Sequence, residues 1–188
     1  MSSMTSVHPM SKTSTGRIAL LVTLGAETVF FITLLVAYVA LRNDVSWNIQ
    51  HTLTRLAIPL INTAILIISA ITAWASTKAI QQNKLAALRN SLLVTVILGF
   101  IFVAGQVYEF SHAGLQINDQ AFGGVFFTLM GFHAVHVLAG VVFLSLNYLR
   151  ANLGDFSAER YETVELGTLF WYYVTAVWFV LFAALYLI

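Results

Sequence analysis

Cysteine is absent from the 188-residue chain. That removes disulfides, thiolate metal sites, iron–sulfur clusters and thioether-linked haem from consideration. Charge is scarce as well. Asp, Glu, Lys and Arg make up 9% of the residues, against about 25% in soluble domains, too few to cover a water-facing surface. A net charge of +1 leaves no basic patch for nucleic acid. No Ser/His/Asp set, phosphate loop, dinucleotide fingerprint or internal repeat is present. What the chain has in excess is apolar side chain: 59% of its residues are hydrophobic, where roughly 45–50% is usual. This excludes disorder and a soluble globular domain alike, and leaves an integral membrane protein.

A spanning helix needs roughly 20 mostly apolar residues, because a hydrocarbon core of about 30 Å is crossed at 1.5 Å per residue. Five runs qualify: Ile18–Leu41, Leu56–Ser76, Leu92–Phe110, Gly123–Tyr148 and Leu166–Ile188. Barrel strands would be alternating segments of about 10 residues, and these runs are continuous. The predicted fold is therefore all-α, a bundle of five transmembrane helices forming a single domain over residues 18–188. Residues 1–17 are polar and rich in Ser and Thr. They lack a short apolar core with a small-residue cleavage site, and are expected to be a flexible cytoplasmic tail.

Five spans place the N-terminal tail on the same side as the second and fourth loops. That side carries Lys12, Arg17, Lys78, Lys84, Arg89, Arg150 and Arg160, and the other only Arg42 and Arg55. The positive-inside rule puts the N-terminus in the cytoplasm and the C-terminus outside.

Ionisable groups inside the apolar runs are costly unless paired, hydrated or protonated. Glu27 lies well within the first run, with no Lys or Arg within two turns of its own helix. It is either a proton-handling or conformational site, or a neutral carboxyl bonded to a neighbouring helix. His133 and His136 share a helix face at i, i+3. Metal or haem ligation would need further ligands from other helices, and no convincing set exists, so interhelical hydrogen bonding is the better expectation. Glu109-Phe110-Ser111-His112 has the Glu-x-x-His form of di-metal carboxylate sites but falls at the end of its run. Gln106 and Glu109, also i, i+3, are expected to cap the outer end of the third helix. Asn62, Ser69 and Ser76 repeat at two-turn intervals, a polar stripe that usually serves as interhelical glue. Gly124, Gly131 and Gly140 allow close helix approach in the fourth run. The fifth opens on Phe170-Trp171-Tyr172-Tyr173, with Trp178 deeper, an interfacial belt merging into core.

The order of these features resembles subunit III of the haem-copper oxidases, the cytochrome c and quinol oxidase superfamily. The resemblance runs through all five spans. The first carries an intramembrane glutamate, Glu27, followed by Phe30-Phe31. The second carries Pro59-Leu60-Ile61-Asn62-Thr63 and then Ser69. The third carries Gly99-Phe100 and Gln106-Val107-Tyr108-Glu109-Phe110. The fourth carries Gly124-Val125-Phe126-Phe127 and Gly131-Phe132-His133-Ala134-Val135-His136-Val137. The chain looks like the short five-helix bacterial form, which lacks the first two helices of the seven-helix form. The fifth span departs from the pattern. Where the family reads Tyr-Trp-His-Phe-Val-Asp-Val-Val-Trp, this chain has Tyr172 for the His and Thr175 for the Asp. Ala134 replaces a glycine between the histidines.

The resemblance implies a non-catalytic subunit with no cofactor of its own. Haem and copper would reside in partner subunits, and phospholipids would be bound. It would pack against oxidase subunit I, with subunit II and small subunits nearby, in a bacterial plasma membrane. There it would support oxygen reduction and proton pumping through stability, proton uptake and a lipid-filled cleft that is also a candidate oxygen route. Glu27, Asn62, Gln106, Glu109, His133 and His136 are the residues implied near that cleft or in proton handling. The rival readings are a subunit III-like accessory protein of nitric oxide reductase, a small membrane carrier, and an assembly factor.

Overall fold

The computed structural model describes residues 15–42, 57–112 and 120–187. Within them the chain is helical: α1 Thr15–Arg42, α2 Ala57–Gln81, α3 Leu85–His112, α4 Gln120–Asn152 and α5 Glu162–Phe182, the last continued by a π-helical turn at Ala183–Leu187. All five are long and apolar enough to cross a membrane. The reason is the solvent: in lipid a backbone must satisfy its own N–H and C=O groups, and a continuous apolar run does so only as a helix.

The helices outrun the apolar segments at most of their ends. Helix α1 takes in Thr15–Arg17 from the expected tail, α3 begins seven residues before Leu92, and α2 and α4 continue to Gln81 and Asn152. Polar residues do not stop a helix at the headgroup level; turn chemistry does. Helix α2 stops at Asn83, which holds a left-handed φ of 56°. The Asn83 N–H bonds the Ile80 carbonyl at 2.8 Å and the Lys84 N–H bonds that of Ala79 at 2.9 Å, the paired closure of a Schellman end. Gly154, at φ 80°, closes α4 in the same way, through Gly154 N–H to Ala151 O and Asp155 N–H to Arg150 O. Arg89 of α3 adds a bond from Nε to the Ala151 carbonyl at 3.0 Å, supplying a free helix end with a cation.

Helices α2, α3, α4 and α5 pack in a closed ring, each against two neighbours. Helix α1 lies outside the ring, against α4 and α5. Burial follows: 11% of the apolar window of α1 is buried against 50% of that of α5. Trp171 and Trp178 of α5 are the largest fully buried side chains. Trp171 fits because two helices have no side chain beside it. A Cβ on Gly99 would meet it at 3.0 Å and one on Gly140 at 2.8 Å. The close approach expected at Gly140 is therefore used, whereas nothing lies within 4 Å of a Cβ on Gly131.

Candidate functional site

Two groups of polar side chains sit inside the membrane-spanning part. The first joins α1 to α4. The Oε2 of Glu27 lies 3.3 Å from the Nε2 of His136. The other ring nitrogen of His136 faces the Phe132 carbonyl at 2.7 Å. A carbonyl only accepts, so Nδ1 carries the N–H. Nε2 is then either the bare acceptor of a neutral ring or the second N–H of an imidazolium. A bond between Nε2 and the carboxyl needs one proton, on the carboxylic acid or on the ring. Glu27 thus meets a neighbouring helix, as one of the two sequence readings required. Next to Glu27 in the chain, the Thr28 hydroxyl lies 3.3 Å from that of Tyr173 on α5, and Phe31, one turn on, meets His136 edge-on. The side chain of Glu27 is about one-third exposed, because α1 packs against the ring on one side only.

The second group lies in the middle of the ring, toward the ends where α2 starts and α3 finishes. His133 is buried between Phe31, Phe102 and Trp178, with its ring stacked on Trp178 at 5.5 Å between centroids. Trp178 donates its Nε1–H to the Thr63 hydroxyl at 2.9 Å. Asn62, beside Thr63, is pressed against α3 where Gly105 leaves room: a Cβ there would overlap the Asn62 amide. Gln106 follows, fully buried, and one turn on Glu109 accepts a bond from the Tyr186 hydroxyl. Among the described residues, both polar atoms of Gln106, both ring nitrogens of His133, the Asn62 Nδ2 and the Glu109 Oε2 have no hydrogen-bond partner.

These placements alter several sequence expectations. At i, i+3 the two histidines are about 60° apart around the helix, enough to separate them here: His136 reaches Glu27, and His133 enters an aromatic cage and bonds to nothing. A polar contact to another helix is therefore made by His136 and not by His133. Gln106 and Glu109 are not a cap, because α3 continues to His112 and turns both inward. In the stripe on α2, Ser69 does join helices, accepting from Trp171 Nε1 at 3.0 Å. Ser76 instead bonds the Ala73 carbonyl of its own helix. Thr175 likewise turns back to the Trp171 carbonyl at 2.8 Å, and Tyr172 faces a groove beside α2. The two hydroxyls at the altered positions thus make no bond to each other. Among the described residues no three His, Cys, Asp or Glu side chains gather closely enough to hold a metal ion. Sequence reasoning missed the partners Thr63, Thr28, Tyr173 and Tyr186. Nothing in a single sequence pairs a hydroxyl on one helix with a ring on another.

A family model described as "Cytochrome c oxidase subunit III" matches residues 2–188, nearly the whole chain. The chain belongs to the cytochrome c oxidase subunit III family. Similar relatives include the cytochrome c oxidase subunit 3 of Thermostichus vulcanus, 31% identical over 91% of this chain and 86% of that protein. The probable subunit 3 of Nocardia farcinica is 29% identical over 97% of this chain and 92% of its own length. The Rhipicephalus sanguineus subunit 3 is 39% identical over 69% of this chain, and the match spans only 50% of that longer protein. The chain thus runs nearly the full length of the two bacterial subunits III and about half the length of the third. Both polar groups above are built from residues singled out in the sequence: Glu27, Asn62, Gln106, Glu109, His133 and His136.

Proposed function

We propose that this chain is the non-catalytic subunit III of a haem-copper terminal oxidase in aerobic respiration. It packs mainly against subunit I, with subunit II and small subunits in the same complex. Haem and copper reside in those partners, and this chain contributes stability, proton uptake and bound phospholipid, with a lipid-filled cleft as a candidate oxygen route. It lies in a bacterial plasma membrane with its N-terminus in the cytoplasm. The observation that carries this reading is the match of one family model to almost every residue of the chain, with the motif residues turned inward or between helices. Lys78, Arg89, Arg150 and Arg160 gather at one end of the described bundle, as a cytoplasmic end requires.

Within this reading the Glu27–His136 pair is the proton-bearing group of the subunit. It holds one exchangeable proton at a half-open position between α1 and α4. The buried Asn62–Gln106–Glu109–His133 group lies in the same region and keeps polar atoms without protein partners.

The test is purification in gentle detergent through a tag on this chain, with mass spectrometry of its partners and a reduced-minus-oxidised spectrum. Large haem-copper subunits and a- or o-type haem bands are the expected result. Recovery of the chain alone and without haem would overturn the proposal. Nitric oxide reductase subunits in their place would make it an accessory protein of that enzyme.

A further inference from the structure

Helices α3 and α5 face each other across the ring and run in the same direction. Two side-chain contacts join them toward the Glu109 end. The Phe102 ring meets that of Trp178 edge-on, with 5.1 Å between centroids. Further along, the Tyr186 hydroxyl donates to the Glu109 carboxyl. The two helices spend different numbers of residues between these contacts. Glu109 follows Phe102 by seven residues, and Tyr186 follows Trp178 by eight. Two α-helical turns take about 7.2 residues. Helix α3 therefore returns to the face it left, whereas a plain α5 would overshoot.

The extra residue is taken up in the π-helical turn at Ala183–Leu187. Its bonds span one residue more than those of an α-helix, which brings Tyr186 back toward the face of Trp178. In an uninterrupted α-helix Tyr186 would stand about 80° from Trp178 and Leu185 within about 20° of it. Leu185 would then take the place opposite Glu109. The rings of the π register form one column, with Phe182 6.4 Å from Trp178 and 5.3 Å from Tyr186 between centroids. The residues of the turn do not themselves call for it. Ala183-Ala184-Leu185-Tyr186-Leu187 holds no Pro or Gly, and Ala and Leu are among the strongest α-helix formers. What the π register gains over the α register is the bond to Glu109. Turns of this kind are rare and gather at functional sites.

We propose that Ala183–Leu187 is a two-register latch on Glu109. In the π register Tyr186 donates to the carboxyl. In the α register Leu185 faces the carboxyl, Tyr186 turns away and the bond is lost. The balance between the registers follows the carboxyl, because only one of them bonds it. The proposal does not require that the chain serve an oxidase.

The experiment uses the chain in its native complex in lipid nanodiscs, with the backbone of residues 183–187 traced in cryo-electron microscopy maps that resolve carbonyls. The wild type should show the π-turn. Tyr186→Phe should instead show a continuous α-helix, with Leu185 turned to α3. Glu109→Gln, whose amide oxygen still accepts, should keep the π-turn. Deletion of Ala184 removes the extra residue, and the tyrosine should then bond Glu109 from a plain α-helix. In that deletion chain, as in the full chain, changing the tyrosine to phenylalanine should lower the unfolding temperature. A wild type without the π-turn, a π-turn that survives Tyr186→Phe, or one lost in Glu109→Gln would each overturn the proposal. So would a deletion chain whose unfolding temperature no longer depends on the tyrosine hydroxyl. Because every readout is on this chain's own backbone and stability, a failure here is distinct from a failure of the oxidase reading.

Discussion

From the midplane toward the Arg17 end, buried polar groups meet across helices. The Thr72 and Thr95 hydroxyls are 2.7 Å apart, Trp171 donates to Ser69, and Thr77 donates to Thr168 at 3.1 Å. Asn147 reaches the Thr163 carbonyl at 3.0 Å. Toward the Glu109 end the bundle buries larger polar groups and pairs them less completely. Trp178–Thr63 and Tyr186–Glu109 are made, but Asn62, Gln106, His133 and Glu109 keep buried atoms without protein partners. The difference separates two uses of polarity in one bundle. In the first half a bond joins helices, and removing it costs roughly 1 kcal/mol. In the second the polar group itself is a cost that the fold carries, of roughly 1–3 kcal/mol for each unsatisfied group. Groups kept at a cost are the ones to examine for function.

The largest effect is expected at the hinge between the halves. Trp171 touches three helices, and Trp171→Ala would empty the space that Gly99 and Gly140 leave for it. Large-to-small changes of this kind cost about 3–5 kcal/mol. Thermal unfolding of the purified complex should show this subunit leaving first, well below the wild-type temperature. An unshifted transition would mean that the bundle is held by its partners and not by its own core.

Next comes the Tyr186–Glu109 bond. Tyr186→Phe strips Glu109 of its one partner and should destabilise by roughly 1–3 kcal/mol. Adding Glu109→Met in the same chain should return most of the loss, because the orphaned carboxyl is then gone. A double-mutant cycle read by detergent or urea unfolding measures the coupling. Additive losses would show that the two side chains do not act together.

The comparison is sharpest with Gln106 and Thr72. If the two halves differ as argued, Gln106→Met is neutral or stabilising, while Thr72→Val destabilises by roughly 0.5–1 kcal/mol. The same sign for both would erase the distinction, and would mean that Gln106 is satisfied in the assembled complex.

The sequence made the five helices legible because a low-charge chain with continuous apolar runs has only one way to satisfy its backbone in lipid. It also marked the ionisable and amide groups inside the spans, since Glu27, Gln106, Glu109 and the two histidines stand out against apolar neighbours. It could not say which of them meet. His133 and His136 look equivalent in spacing, yet one faces a cage of rings and the other a carboxyl, and that turns on where α1 and α5 pack. Nor could it show that α3 continues past Phe110 to His112, because hydropathy does not set a helix end. The ring of α2 to α5, with α1 outside it, depends on shape: Gly99, Gly140 and Gly105 read as small residues until Trp171 and Asn62 fill the space beside them.

The smallest effect on stability is expected at Glu27, where function and packing separate most clearly. Its side chain is about one-third exposed and 3.3 Å from a single imidazole, and one interhelical polar contact in a membrane is worth roughly 1 kcal/mol or less to the fold. Glu27→Gln should therefore leave the subunit assembled and the unfolding temperature nearly unchanged, and His136→Asn should leave the bound haem and copper of the complex intact. The shared proton, however, should be visible. With Nδ1 committed to the Phe132 carbonyl, a proton on Glu27 gives a carboxylic C=O band in infrared difference spectra, and a proton on His136 gives carboxylate bands. Loss of a carboxylic C=O band in Glu27→Gln is the expected result. Loss of carboxylate bands would place the proton on His136 and make this pair an ion pair inside the membrane.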